Sequence, residues 1–271
     1  MSNPKCQYLT LQVLGLFNSC PMRLLGLILE KADLKRLMCA RYTAIKDLSE
    51  VIEAVQCVNR VGEWQPRYNI APGQQAPAVA MEDSRAELRL MRWGLIPSWA
   101  KPGSTFKPLV NVRAESLEQK PAFRRAFQQR RCLIPADGFY EWEDTSEGKT
   151  PHLFKMADGS MFCFAGLWES REIPDDSRLE LDLPGLPERD SRLETYAIIT
   201  TTPNEIVGRY HGRMPVILPL EACASWLDVE TPLPELHRWL RPFPAEKLTE
   251  RRVSRWVNNS SHEGPECIRE V

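Results

Sequence analysis

Met161-Phe162-Cys163-Phe164-Ala165-Gly166-Leu167-Trp168 runs for eight residues without a charge and is rich in aromatic side chains, the composition of a strand. Similar short runs lie on both sides of it: Pro77–Met81, Leu88–Ile96, Cys132–Ile134, His152–Met156, Tyr196–Thr201 and Met214–Leu218, punctuated by Gly and Pro. Together they favour a mixed sheet or a barrel. Helical signals are fewer. Asp47 and Glu50 make an Asp-x-x-Glu cap, with Leu48, Val51, Ile52 and Val55 on one stripe. Ser116–Gln128 predicts a second helix, with Phe123 and Phe127 four apart. Ala222–Leu227 and Pro234–Leu240 predict short late helices. Strands and helices do not alternate regularly, so the expected class is α+β rather than a doubly wound sheet.

A chain of 271 residues suits one domain with a substantial core. Its 43% hydrophobic and 26% charged residues are ordinary for a soluble protein. The net charge of −1 gives no hint of nucleic acid. Its distribution is uneven: residues 172–190 hold seven acids against Arg178 and Arg189, a local −5 that leaves +4 elsewhere, compatible with a phosphate-binding face. With its prolines, the stretch at about 172–192 reads as an exposed acidic insertion. The eight cysteines are scattered, with no Cys-x-x-Cys and no metal-ligand spacing, so no zinc site is expected and a reducing cytoplasm fits. The apolar runs before residue 30 are broken by Asn18, Pro21 and Arg23, well short of the ~20 residues of a membrane span.

Met38-Cys39-Ala40-Arg41 reads like the start of a protein set inside a longer chain. Residues 1–37 are then an extension, arising from an upstream start codon or forming a removable propeptide. Methionine removal favours a small next residue, so a start at Met38 would expose Cys39. An N-terminal cysteine joins an α-amine of pKa ~8, against ~10.4 for lysine, to a thiol on the adjacent carbon. The amine can condense with an aldehyde and the thiol can then close a thiazolidine. The bland alternative for Cys39 is a small buried hydrophobe.

Four further motifs follow: Tyr68-Asn69-Ile70-Ala71-Pro72-Gly73, Asn111-Val112-Arg113-Ala114-Glu115, Asp137-Gly138-Phe139-Tyr140-Glu141-Trp142 and His211-Gly212-Arg213-Met214-Pro215. In this order after Met-Cys-x-Arg, they resemble the SRAP family, the SOS-response-associated peptidases that include abasic-site shield proteins. The resemblance runs from Met38 to about Ile268. Ala40 departs from it, since the family usually has Gly there. It implies a single compact α+β domain at 38–271, with a β-rich, barrel-like core and peripheral helices. It further implies covalent crosslinking to abasic sites in single-stranded DNA, shielding the lesion, with no metal or other cofactor.

The residues admit two readings at each position. Glu141, flanked by aromatics, suits a desolvated proton shuttle, the role the resemblance assigns, or is a surface carboxylate like Glu143 and Asp144. By resemblance His211 stabilises the opened sugar and assists proton transfer; otherwise it is a core histidine. Asn111 and Arg113, two apart, would share one face of a strand, an amide near Cys39 and a guanidinium on phosphate, or are a turn residue and a surface arginine. Arg41, Arg113 and Arg213 are candidate phosphate ligands because the arginine fork fits phosphate oxygens. Trp93 and Trp142 either stack on unpaired bases or fill the core. Asn69 and Pro72 would shape the rim near the nucleophile. The basic run Arg124, Arg125, Arg130 and Arg131 reads as a solvated helix C-terminus. A monomer acting on abasic sites in single-stranded DNA, cytoplasmic and nucleoid-associated when bound to damaged DNA, is the leading expectation. An autoproteolytic cysteine peptidase and a non-catalytic single-strand binder are the alternatives.

Overall fold

The computed structural model describes residues 40–100, 106–172 and 192–271. The extension, Cys39 and all of the acidic insertion except its two end residues lie outside the described residues. In chain order the elements are β1 (Tyr42–Ala44), α1 (Ser49–Val55), β2 (Val58–Asn59), β3 (Arg67–Ile70), β4 (Gln75–Glu82), β5 (Arg85–Trp93), β6 (Asn111–Arg113), α2 (Pro121–Gln129) and β7 (Arg131–Ala136). Then follow β8 (Gly138–Thr145), β9 (Gly148–Met156), β10 (Phe162–Glu172), β11 (Arg192–Thr201), β12 (Met214–Pro215), β13 (Ile217–Leu218), α3 (Leu220–Leu227), α4 (Leu233–Trp239) and β14 (Leu248–Arg252).

Five strands close on themselves. β11 pairs with β10, β10 with β7, β7 with β4 and β4 with β5, all antiparallel. β5 then returns to β11 through a short parallel pairing, Thr195 with Arg92 and Tyr196 with Trp93. Closure removes the open edges of a flat sheet. A second sheet runs β14-β9-β8-β1-β3. The fold is therefore α+β with a barrel core, as expected.

Alternation along each strand sends its residues into two separate cores. On β10, Phe162, Phe164 and Trp168 enter an inner cluster shared with Tyr42, Trp93, Phe139, Phe154 and Tyr196. Cys163, Ala165 and Leu167 enter an outer cluster completed by Phe123 and Phe127 of α2 and Trp226 of α3. Ala76, Ala78 and Ala80 of β4 face inward, small residues that leave room for the large rings opposite. Tyr42 and Tyr196, both fully buried, satisfy each other with a hydroxyl–hydroxyl hydrogen bond of 2.8 Å.

Local chemistry sets the boundaries. The N-cap of α1 is Leu48, one residue later than the Asp47 cap expected, and has no side-chain cap; Asp47 lies just ahead of it and accepts from the Ser49 N–H at 2.9 Å. The second helix starts at Pro121, five residues later than the periodicity predicts, because proline occupies its first turn; Ala114–Ser116 is a 3-10 turn. β5 stops at Trp93 because Gly94 has φ +132. The run Met214–Leu218 divides into β12 and β13, which pair with β11 and β10 respectively. Arg131 departs from the expected solvated basic run. It is 3% exposed and donates to the carbonyls of Phe127 and Gln128 at the end of α2 and of Trp226 and Asp228 at the end of α3. A cation is thus shared between two helix C-termini.

Gly166, in the middle of β10, is crowded on its inner side. A Cβ there would meet the Ile134 side chain, the Cys132 Sγ at 2.8 Å and the Ala197 carbonyl oxygen at 3.0 Å. Gly166→Ala is expected to destabilise the fold by about 1–3 kcal/mol, the usual range for overpacking a closed core. Urea unfolding measures this, and an unchanged midpoint would show that the barrel wall yields.

Candidate active site at the open end of the barrel

β8 leaves the barrel at Asp137, whose carboxylate accepts from the Thr43 hydroxyl at 2.5 Å and from the Ile45 and Lys46 N–H groups at 2.7 and 2.8 Å. This buried clamp fixes β8 against β1. Strand alternation then places Glu141 on the same face as Phe139, and Tyr140 and Trp142 on the other. Glu141 is 4% exposed, so it is not the surface carboxylate of the bland reading. Its cross-strand partner is His152, and Phe139 pairs with Phe154. The rings of His152 and Phe154 lie 4.3 and 5.7 Å from that of Tyr210, the residue before His211. The sheet face that carries Glu141 therefore looks toward the His211 loop.

β1 runs antiparallel to β8, with Tyr42 opposite Phe139 and Thr43 opposite Gly138. The Tyr140 N–H donates to the Arg41 carbonyl at 3.1 Å, which extends the ladder past the strand's formal start. One step further in this register, Ala40 falls opposite Glu141. Cys39 precedes Ala40 by a single peptide bond.

The end of β11 gathers two further motifs. Thr200 is flanked by Arg113 of β6 on one side and Pro215 of β12 on the other. Val112 is buried, so Asn111 and Arg113 share the opposite face of β6; Arg113 is exposed and Asn111 half-buried. The loop ahead of β12 carries His211, whose Nδ1 lies 3.1 Å from both the N–H and the carbonyl oxygen of Arg213, so that it accepts from the first or donates to the second according to the tautomer. Val110 and Tyr210, the neighbours of Asn111 and His211, both pack against the inner cluster that contains Phe139. Asn111 and His211 thus adjoin the core entered by Phe139, which shares its face with Glu141.

The three candidate phosphate arginines differ. Arg213 is engaged inside the protein: Nη1 and Nη2 form a fork with Glu115 at 2.6 and 2.7 Å, and Nη2 also donates to the Thr200 carbonyl at 2.6 Å. The same bonds hold the Glu115 carboxyl below its ordinary pKa. An incoming phosphate would have to displace Glu115, so Arg213 is corrected from an open ligand to a brace between β6 and the His211 loop. Arg41 gives both Nη1 hydrogens to the protein, to Asn69 Oδ1 at 2.7 Å and the Val257 carbonyl at 2.9 Å. Burial lowers its pKa from the usual guanidinium value. Arg113 alone of the three has an exposed side chain.

Asn69 is fully buried, and its Nδ2 donates to the carbonyls of Val257, Asn259 and His262 at 3.3, 2.9 and 2.8 Å. It holds the C-terminal segment against Arg41 and does not form part of an open rim. Pro72 occupies the second position of an Ala71–Gln74 turn closed by a 3.2 Å hydrogen bond, with Gly73 at φ +88, the pattern of a type II turn. Trp142 is half-buried, donates to Asn258 Oδ1 at 2.7 Å and lies 5.9 Å from the Arg41 guanidinium. Trp93 is a correction: it is fully buried, stacks on Tyr196 at 6.2 Å and donates to the Val110 carbonyl, so neither ring face is open to a base. An indole that is exposed instead is Trp99, 64% accessible and edge-on to Phe106, in the loop pinned by the Leu95–Leu109 bridge. Pro97 just before it was the sequence signal for a loop rather than a strand interior.

Among the described residues the free cysteines, Cys57, Cys132, Cys163, Cys223 and Cys267, are all buried, which excludes them as accessible nucleophiles in the folded chain. No group of three or more His, Cys, Asp or Glu among the described residues is placed to hold a metal ion. No described helix is long and apolar enough to cross a membrane.

Comparisons with known proteins identify the family and the fold. The abasic site processing protein YoqW of Bacillus subtilis is 37% identical over 235 residues, covering 85% of this chain and 99% of that protein. The abasic site processing protein HMCES of Gallus gallus is 32% identical over 229 residues, covering 77% of this chain and 67% of that protein. A Bacteroides thetaiotaomicron crystal structure superposes with a TM-score of 0.71 at 22% identity, covering 86% of this chain and 100% of its own, and shares the fold. Together with the match of residues 38–260 to the SOS response associated peptidase (SRAP) family, the motifs at Asn111, Glu141 and His211 make this chain a member of the SRAP family.

Proposed function

We propose that this protein processes abasic sites in single-stranded DNA by crosslinking to them through Cys39 at the N-terminus of a chain from which residues 1–38 have been removed. The observation that carries the reading is the register of β1 against β8, which sets a 4% exposed glutamate opposite the residue that follows Cys39. The names of the curated relatives, abasic site processing proteins, support it.

The chemistry follows from these groups. The Cys39 amine attacks C1′ of the ring-opened deoxyribose aldehyde, and the carbinolamine loses water to give a Schiff base. Glu141 supplies the proton that lets hydroxide leave as water and takes back the proton released by nitrogen. The Cys39 sulfur then adds to the imine carbon, and its proton passes to nitrogen, closing a thiazolidine. His211, its Nδ1 held by the Arg213 backbone, uses its other ring nitrogen to hydrogen-bond the opened sugar's hydroxyl. Asn111 orients the amine, Arg113 holds a flanking phosphate, Arg41 assists through its Nε/Nη2 edge, and Trp142 and Trp99 offer surfaces for unpaired bases. The protein acts as a monomer in the cytoplasm.

Intact-mass analysis of the protein expressed from its own gene should find a reactive chain beginning at Cys39. Full reactivity in a chain that retains residues 1–38 would rule out the aminothiol mechanism.

Cys39→Ser, prepared with the same free N-terminus, keeps the amine and loses the sulfur. It should give an imine that borohydride traps, but no heat-stable adduct on denaturing gels. An undiminished stable adduct would point to another nucleophile.

Glu141→Gln should slow crosslinking ~10²–10⁴-fold, the range for loss of a positioned acid–base group, while affinity for undamaged single strands changes little. Arg113→Ala should weaken binding and reduce the slope of log K against log salt by about 0.7, one single-strand phosphate contact. Time courses and salt titrations on both variants test the division. Loss of binding alone in both would leave a single-strand binder without chemistry.

A further inference from the structure

On the C-terminal segment, the 3-10 turn Arg255–Asn258 presents Trp256 at 45% exposure. One face of its indole is covered by the imidazole of His262, with ring centroids 3.6 Å apart and planes 16° from parallel. The imidazole is locked in turn. Its Nδ1 lies 2.8 Å from the Trp256 carbonyl, to which it donates, and its Nε2 lies 3.2 Å from the Asn259 amide nitrogen, from which it accepts. The Trp256 N–H is held by the Ser254 hydroxyl at 3.2 Å. The result is a rigid flat ring with one face covered and the rest of its surface in solvent.

The position of this ring ties it to the site. Asn258, on the same turn, accepts from the Trp142 indole N–H and donates to the Lys149 carbonyl at 3.0 Å. The carbonyls of Val257, Asn259 and His262 are gripped by Asn69, and Val257 also by Arg41, which leads directly into Ala40. Its exposed neighbours in the chain, Asn258, Asn259, Ser260 and Ser261, carry amides and hydroxyls, whereas a protein partner would need apolar side chains there for its dry centre. A planar heteroaromatic ring with polar edges needs only the flat face and the edge donors and acceptors.

We propose that the Trp256–His262 pair is a second base-stacking platform, taking an unpaired nucleobase that flanks the lesion on the Trp142 side. The assignment rests on the single-strand reading above and adds a subsite to it. Because the pair is held before the strand arrives, little side-chain freedom is lost on binding.

The test uses the full chain and undamaged ~12-nucleotide single strands carrying 2-aminopurine at successive positions, so it does not depend on the state of Cys39. In the wild type, 2-aminopurine should be quenched at one position beyond the base nearest Trp142. Trp256→Ala should abolish that quenching and raise Kd about 5- to 150-fold, the equivalent of ~1–3 kcal/mol for one lost stack. Trp256→Phe should recover most of both, with thermal midpoints of the variants matched to the wild type. Wild-type affinity and quenching retained in Trp256→Ala would overturn the platform while leaving the single-strand reading intact. A wild-type chain that binds no single strand, yet folds, would overturn the underlying reading itself.

Discussion

Closure of the barrel at Tyr196 and Trp93 is the constraint on which the rest of the molecule depends. The pairing of β11 with β5 there is short and parallel, and the adjacent rings have no exit to water. The Tyr196 hydroxyl consequently has to find its partner inside, and it finds it in Tyr42. Burial pushes the Tyr196 pKa far above the ordinary phenol value, so the pair stays neutral. Since Tyr42 belongs to the second sheet, this one hydrogen bond ties the barrel to the sheet that carries Glu141.

From that tie the site follows by register. With Tyr42 fixed in the inner core, its neighbour Arg41 must point to the opposite face, where Asn69 and the Val257 carbonyl receive it. Asp137 prevents β8 from sliding, because a shift of one residue would break its three bonds and turn Glu141 and Phe139 together to the opposite face of the sheet. The polar residues of the Asn69, Asp137 and Arg213 motifs thus serve geometry first. Each is buried or paired so that Glu141, Asn111, Arg113 and His211 stand where they do.

Several features were legible in the chain itself. The apolar runs located β4, β5, β7, β9, β10 and β11, because burial on both faces leaves a continuous hydrophobic signature. The weaker elements were not readable for a physical reason. β8 continues as Glu141-Trp142-Glu143-Asp144-Thr145 and β14 reads Leu248-Thr249-Glu250-Arg251-Arg252, compositions that suit solvent and become strands only through pairing with β9. β1 and β3 are too short to announce themselves and are held by neighbours distant in sequence.

The sequence by itself determined the family, the α+β class and the identity of the polar residues around the site, since side-chain chemistry and motif order are local properties of the chain. It also marked Asn111 and Arg113 as sharing one face, because a spacing of two has that meaning on any strand. Only the tertiary structure decided which polar residues face outward and which are committed within. Arg113 and Arg213 are the same side chain in similar motifs, yet one is exposed while the other is claimed by Glu115, a partner 98 residues away. Trp93 and Trp99 are six residues apart in one stretch, yet barrel closure buries the first and the Leu95–Leu109 bridge carries the second out to solvent. A side chain's availability depends on what the rest of the chain places against it, and that information is not local.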